Sequence, residues 1–431
     1  MANTKAEVVI IGAGASGLMA ARELGRAGKK VIVLEARDRI GGRIFPLPER
    51  EFGYPAQGGA EFVHGPAKVT RALMDEAGLT YVASKGERWT VRDGKIIKNE
   101  DFSPKEPDAF QEKLRALMED VPISDFLEKY FGEEKYEAFR KSIVRMVQGY
   151  DAADPRRAST FSLRDEWLSG DKEWQQGRIK EGYTALLGFL LDECKALGVE
   201  MRLAREAESI VVSQEGQGAT IRCTNAEKYH AQKVIITLPL PVISSLHFES
   251  TLSEKIEAAS KIGFGGVIKL LLRFNLKWWT DITGSDFSKM SFLFGDEIFP
   301  TWWAQYPESS VVLTGWLAGP PSEKLKDNSS EEILQMGLTS LAHTFKMNVR
   351  DFKKELIAWQ AVNWFADPFA RGAYSYVTVD SYKAREELMK PVADTIFFAG
   401  EALYSEEEET ATVEGALGSG KEVAEKILRG A

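Results

Sequence analysis

Cysteine and positive charge are scarce in this chain, and each shortage removes a class of protein. Two cysteines, Cys194 and Cys223, in 431 residues make neither a disulfide framework nor a ligand cluster. No metal site is therefore expected, and a reducing compartment is. A net charge of −9 disfavours a nucleic-acid partner, because phosphate binding needs a basic surface. No apolar stretch approaches the ~20 residues that span a bilayer. The end, GKEVAEKILRGA, reads as an amphipathic helix, and the opening MANTKAE is short and polar, unlike a secretory leader. The expected setting is the cytoplasm, away from membranes. Apolar residues make up 44% of the chain and charged ones 28%, as in globular proteins. The length exceeds one ordinary core, so two domains are expected.

The strongest local signal lies between residues 8 and 43. Residues 8–11 (VVII) form a β-branched run of the kind buried on both faces of a sheet. Gly12, Gly14 and Gly17 follow in a G-x-G-x-x-G array, then Leu18, Ala21 and Leu24 at helical spacing, with Gly28 closing the helix. A second apolar run, residues 31–34, ends at Glu35. A glycine triplet alone is weak, and a flexible turn is its plain alternative. Strand, turn, helix, strand and acid together specify a dinucleotide site. The first glycine allows the turn, the second admits a diphosphate, and the third lets helix and strand touch. Gly12, Gly14, Ala15, Ser16 and Gly17 are expected at the diphosphate, with Glu35 and Ala36 at the ribose. Glu35 would repel a 2′-phosphate, which argues against NADP. Arg37, Gly42 and Arg43 then read either as a solvated glycine loop or as a second, forked diphosphate contact.

With this extension the stretch resembles the FAD-binding N-terminus of the flavin amine oxidase family. The resemblance implies an α/β fold, a Rossmann-type FAD-binding domain interleaved with an α+β substrate-binding domain. The chain divides accordingly: residues 1–78, 180–245 and 385–431 for FAD, 79–179 and 246–384 for substrate. Residues 57–65, QGGAEFVHG, are similar to the G-A-x-W-I-H-G segment of polyamine oxidases. Phe62 stands at the Trp position and Glu61 at the variable one. Gly59, Ala60, Glu61 and Phe62 are thereby expected near the flavin, with His64 beside it, although a lone histidine is often only a structural hydrogen-bonder. Ile210 and Thr237 fall where the family contacts the adenine side, or are plain strand residues.

Between these blocks the spacing predicts helices over 66–77, 107–119, 123–131, 133–148 and 184–197. A hairpin is predicted over 89–97, turning at Asp93-Gly94, and a charged cluster over 151–157 reads as a separator. Strands are expected over 200–203, 208–212, 220–223, 234–238 and 395–399. In 263–274, GFGGVIKLLLRF, alternation puts Ile268, Leu270, Leu272 and Phe274 on one face and Lys269 on the other. A half-exposed strand with a solvated lysine is one reading. Yet an ammonium deep in an apolar run is costly unless paired or deprotonated. The run resembles the family strand whose lysine holds a water beside the reactive flavin nitrogen.

Residues 363–375 contain Trp364, Asp367-Pro368 and Gly372-Ala373-Tyr374-Ser375, similar to the W-x-x-D-P…G-x-Y-S segment of amine oxidases. Ala373 stands where the mitochondrial monoamine oxidases carry a flavin-linking cysteine, which implies noncovalent FAD. Tyr374 matches one wall of their aromatic cage, while Thr412 replaces the other. Gly400 and Glu401, then Thr412, Val413 and Ala416 opening the last helix, resemble the family's second flavin signature. Glu406 to Glu409 read as a solvated loop or a cation-attracting run. Trp278, Trp279, Trp302, Trp303 and Trp316 are divided between core and substrate cavity without a local signal to sort them.

The resemblance implies oxidation of a small-molecule amine to an imine by FAD, with Lys269, Tyr374 and His64 acting and dioxygen reduced to hydrogen peroxide. The chain is expected as a monomer or homodimer. Carbon–carbon oxidation, as in related desaturases and porphyrinogen oxidases, stays open, as does a flavin-bearing interaction protein with little turnover.

Overall fold

The computed structural model describes residues 3–92, 94–99, 107, 109–168, 176–213, 218–248, 252–282 and 284–430. It has a mixed α/β architecture built on two large sheets. In the first, the strand Asn3–Ile11 lies between Val31–Leu34 and Lys228–Ile236 and is parallel to both. Val8 and Ile10 enter one apolar cluster, Val9 and Ile11 another. Both faces of this strand are thus covered, which is why its sequence is continuously apolar rather than alternating. Glu200–Arg202 extends the sheet beyond Val31–Leu34, and Ile396–Phe398 adds a parallel pairing to Lys228–Ile236. An antiparallel set, Ala219–Cys223 and Ala207–Val212, completes the other side.

The helices Ala15–Arg26 and Val413–Leu428 pack against each other over this sheet. Their contact is so close that a Cβ on Gly420 would lie 2.2 Å from the Ser16 carbonyl oxygen. The first turn of one helix thus packs against the middle of the other.

The second sheet runs Leu356–Asn363, Val267–Phe274, Val312–Ala318, Thr301–Ala304, Met290–Phe294, Glu87–Arg92, Lys95–Asn99. The lysine-bearing strand Val267–Phe274 is second from the edge, paired antiparallel on both sides. Ile268, Leu270, Leu272 and Phe274 are each fully buried against the helix Ser330–Phe345 and its neighbours, and Val267, Lys269 and Leu271 on the opposite face are buried too, which overturns the half-exposed alternative. Each contributes roughly 1.5–3 kcal/mol by leaving water. The run splits before Val267, since Gly263–Gly265 pairs instead with Tyr374–Tyr376.

Helix boundaries follow the spacing closely: Lys68–Ala77, Ile123–Phe131 and Tyr183–Ala196. Gly78 and Gly198 end two of them at φ +65° and +77°, where glycine is unstrained. The expected helix over 107–119 shortens to Ala109–Arg115, and that over 133–148 becomes a 3₁₀ turn followed by Glu137–Tyr150. Asp93 and residues 100–106 and 108 lie outside the described residues. The hairpin is present as Glu87–Arg92 and Lys95–Asn99. The strand expected over 234–238 begins earlier, at Lys228. A helix not anticipated, Thr160–Leu168, follows the charged separator.

Candidate active site

A cavity of about 2190 Å³ runs between the two sheets and is lined from both. Ligand pockets usually measure about 300–1,000 Å³, so this one has room for a large cofactor and a substrate together.

One end is the glycine turn. Gly12 has φ +109°, and a Cβ on Gly17 would lie 2.0 Å from the Gly12 carbonyl oxygen, so helix and strand can meet only without side chains there. Gly14 is different: a Cβ would meet nothing within 4 Å and would enter the cavity. Gly14 caps the helix Ala15–Arg26 with no side-chain acceptor, leaving first-turn N–H groups for an anion. The Ser16 hydroxyl, on the cavity lining, is buried with no partner among the described residues. Thr237 donates to the carbonyls of Ile11 and Gly12 at 2.9 and 3.2 Å, bracing the turn.

Glu35, 6% exposed, accepts from the backbone N–H groups of Ala13 at 2.8 Å and Arg37 at 2.9 Å. A carboxylate has about four acceptor positions, so two remain for vicinal hydroxyls, and Ala36 lines the cavity beside it. Arg37 pairs with Asp367 at 2.5 Å and Arg43 with Glu401 at 2.9 Å. Both arginines line the cavity, yet each spends a donor tying the first signature to a later one. Two expected residues stay off the lining. Gly17 acts through packing, and Ile210 is 1% exposed in the sheet core while Ala207 and Glu208 of its strand line the cavity.

In the middle, Gly42, Gly59 and Ala60 bring bare backbone to the wall. The flat neighbour of the second glycine run is Trp364: its indole N–H donates to Gly58 at 3.2 Å, and a Cβ on Gly59 would lie 3.1 Å from its ring. Opposite, Gly400 and Glu401 lie beside Thr412, Val413 and Ala416 at the N-terminus of the last helix. Thr412 caps that helix by accepting from Gly415 at 3.0 Å. Its positive end thus faces the cavity. The acidic run is only partly solvated: Glu409 accepts from the Ala67 N–H at 3.0 Å.

Lys269, 1% exposed, reaches the cavity wall from the strand Val267–Phe274. Its Nζ donates to Glu61 Oε2 at 2.7 Å and to the Gly59 carbonyl at 3.1 Å. An ammonium has three donors, so one is left for a water or a ligand. Glu61 belongs to the wall with Lys269. Burial lowers the lysine pKa and Glu61 opposes that shift, while Lys269 and Arg178 outweigh the burial of Glu61 and hold its carboxyl at about 2.

Beyond the lysine lies an aromatic chamber. Trp303 and Trp316 line it with centroids 5.6 Å apart, and Phe62 is 5.5 Å from Trp303. Trp278, Trp279 and Trp302 pack in the core instead. Tyr374 donates to the Tyr150 carbonyl at 2.7 Å, and Thr412 also lines the cavity. His64 meets Tyr150 edge-on at 6.1 Å, and burial lowers its pKa to about 4, so it is neutral at pH 7. Asp151 and Glu166 also line the chamber. Burial, with Glu166 adding to it, pushes Asp151 well above the ordinary carboxyl range, and burial raises Glu166 as well. Neither was legible locally: one sat in an apparent separator, the other in an unanticipated helix.

The neutral histidine has a consequence for stability. Unfolded His64 takes a proton near pH 6.5, whereas the folded ring refuses it until about pH 4. Stability therefore falls as pH drops through that window, by up to about 3 kcal/mol. Denaturant unfolding of His64→Gln should lack this part of the acid limb; an unchanged limb would refute the assignment.

The donor set suits FAD: an uncapped helix N-terminus, a serine hydroxyl with no partner among the described residues, a carboxylate with two open acceptor positions and a second helix N-terminus. The chain also matches the family model for flavin containing amine oxidoreductases over residues 15–428. It belongs to that family. Among curated relatives, human lysine-specific histone demethylase 2 (Homo sapiens) is 29% identical over 97% of this chain and 53% of its own length. A probable polyamine oxidase 4 of Arabidopsis thaliana is 27% identical over 95% of this chain and 84% of its own. The chain spans about half the length of the demethylase relatives. Among solved structures, putrescine oxidase bound to putrescine superposes with TM-score 0.80 at 19% identity, covering 99% of this chain and 100% of that one. Cyclohexylamine oxidase from Brevibacterium oxydans IH-35A gives 0.81 at 19% identity, covering 99% of each chain. The cavity that fits a flavin lies between the two sheets. Neither cysteine lines the cavity, and burial pushes their thiol pKa values up to about 12 and 11. Neither cysteine is therefore placed to tether a flavin through a thioether. No helix among the described residues is long and apolar enough to cross a membrane.

Proposed function

We propose that the chain is an FAD-dependent oxidase of amines that carry a second positive charge, a diamine or polyamine. The observation that carries this reading is the pair Asp151 and Glu166 on the lining of the aromatic chamber beyond Lys269. Burial and the neighbouring Glu166 make Asp151 costly to ionise. A distal ammonium relieves that cost, and the aromatic walls accept the methylene chain between the charges. Arg145, on the same lining, is already paired with Asp296.

The chemistry supplied by bound FAD is two-electron oxidation of the carbon beside the amine nitrogen, giving an imine that water hydrolyses, with dioxygen taken to hydrogen peroxide. The chain's residues do the rest. The helix N-termini and Glu35 hold the cofactor, and Trp364 and the Gly58-Gly59 backbone fix its neighbouring wall. Neutral His64 and Tyr374 offer uncharged surfaces to a deprotonated reacting nitrogen. Lys269 offers a positive charge and one hydrogen-bond donor at the wall. The buried, unreactive thiols suit a reducing compartment, and cytoplasm is the proposed location.

Anaerobic mixing with a panel of mono- and diamines tests the reading. Diamines should bleach the yellow protein at lower concentration than monoamines of equal length. Asp151→Asn with Glu166→Gln should raise the diamine KM by about 10–100-fold, equal to about 1.4–2.8 kcal/mol, with monoamine turnover within about twofold. Absence of bleaching by any amine would overturn the function; equal losses for both amine classes would overturn the subsite.

A further inference from the structure

Glu61 is the most heavily engaged side chain at the cavity wall. Its Oε2 accepts from Lys269 at 2.7 Å. Its Oε1 accepts from Arg178 Nε at 2.8 Å, Gln305 at 3.0 Å and Trp303 at 3.1 Å. Every one of these groups is buried or nearly so, and Glu61 itself is 9% exposed. The cluster holds two cations and one carboxylate, a net charge of +1. Tyr54, buried nearby, is pushed further from ionising by the Glu61 charge and adds none of its own.

Placement of the charge within this cluster is the point. Desolvation alone drives a buried lysine to its neutral form, and Arg178 pushes in the same direction. Glu61 is the only carboxylate within bonding distance of Lys269 among the described residues. Remove its charge and the cheapest arrangement leaves the proton off Lys269, because a guanidinium does not give one up. The cluster would remain at +1, but the charge would sit on Arg178, behind Phe62, rather than on the cavity-lining lysine.

We propose that Glu61 is a positioning residue that holds Lys269 as a fixed cation on the cavity wall, so that the electron-accepting end of bound flavin faces a constant positive charge across neutral pH. The proposal rests on the amine-oxidase reading only for where that end of the flavin lies. It goes beyond the lysine itself, because the variable position of the G-A-x-W-I-H-G segment becomes the residue that decides the lysine's protonation.

The test uses the FAD-loaded full chain and no amine. Reductive methylation with formaldehyde and borohydride, followed by peptide mass spectrometry, reads whether Lys269 is a neutral amine. Air reoxidation after photoreduction, followed between about pH 6 and 9, reads the effect of its charge. In the unsubstituted protein Lys269 should resist methylation at pH 7 and the reoxidation rate should stay flat. Glu61→Gln should raise Lys269 methylation at least about tenfold. Its reoxidation rate should fall by roughly tenfold per pH unit above the lysine's new titration point. Glu61→Asp should stay close to the parent, and Glu61→Gln with Lys269→Arg should regain a flat profile, because guanidinium stays charged. Unchanged methylation and profile in Glu61→Gln would overturn the proposal. So would a falling rate in the unsubstituted protein, a measurement that needs no variant to fold. Failure of the amine-oxidase reading shows instead in the amine panel. If dioxygen does not reoxidise the parent, the methylation arm still decides the role of Glu61.

Discussion

Lys269→Met should slow reoxidation of the reduced protein by dioxygen about 10²–10³-fold, the usual effect of deleting one preorganised electrostatic contact, while FAD affinity changes less than about threefold. The asymmetry follows from position. Lys269 lies at the wall beyond the glycine turn and makes its contacts to Glu61 and Gly59 rather than to the residues that bracket the diphosphate. Methionine keeps an unbranched stem and adapts to the same slot. Glu61 retains Arg178, Gln305 and Trp303, so the wall is expected to stand, with the cluster's net charge falling from +1 to zero. Stopped-flow reoxidation and FAD titration measure the two quantities separately. Reoxidation at the parent rate would remove Lys269 from the mechanism, and an equal loss of FAD affinity would make it a cofactor-binding residue.

Gly17→Ala and Gly14→Ala should fail in different ways, although they are three residues apart. At Gly17 the new Cβ would lie 2.0 Å from the Gly12 carbonyl oxygen, a backbone atom held by the sheet. Helix and strand must separate, at a cost of about 1–3 kcal/mol for overpacking, and the cradle opens as they do. Both thermal stability and FAD uptake should be lost. At Gly14, with φ −77°, alanine is conformationally allowed and meets no protein atom within 4 Å. The apoprotein should keep its stability within about 0.5 kcal/mol. FAD should bind at least about tenfold more weakly, because the methyl occupies space the diphosphate needs. Calorimetry of the apoproteins beside flavin fluorescence titration separates the cases; a stable, yellow Gly17→Ala protein would contradict the packing argument.

Chain-local features were legible because their physics is local. The glycine turn, the strand Val31–Leu34 and the helix ended by Gly78 depend on neighbours a few residues away, and the structure has them where the spacing predicted. The alternation around Lys269 was legible too, since period-two burial follows from strand geometry alone. The extent of that burial was not, because the second face is covered by distant residues, Leu47, Phe52 and Ala56 over Leu271 and Ala152, Trp364 and Ala370 over Val267. Ile210 shows the converse: its place in a strand was legible, while pleating turned its side chain into the core.

Sequence by itself determined the nucleotide unit, the flavin signatures and, through Ala373, the lack of a thiol to tether the cofactor. Tertiary structure alone decided what surrounds the two charged ends of the cavity. Glu61 meets Lys269, Arg178, Trp303 and Gln305 across separations of 208, 117, 242 and 244 residues. Asp151 and Glu166 come to one chamber from a loop and a helix. A carboxylate carries no local pattern that says whether water or a buried cation will face it; only the fold chooses its solvent, and with it its charge.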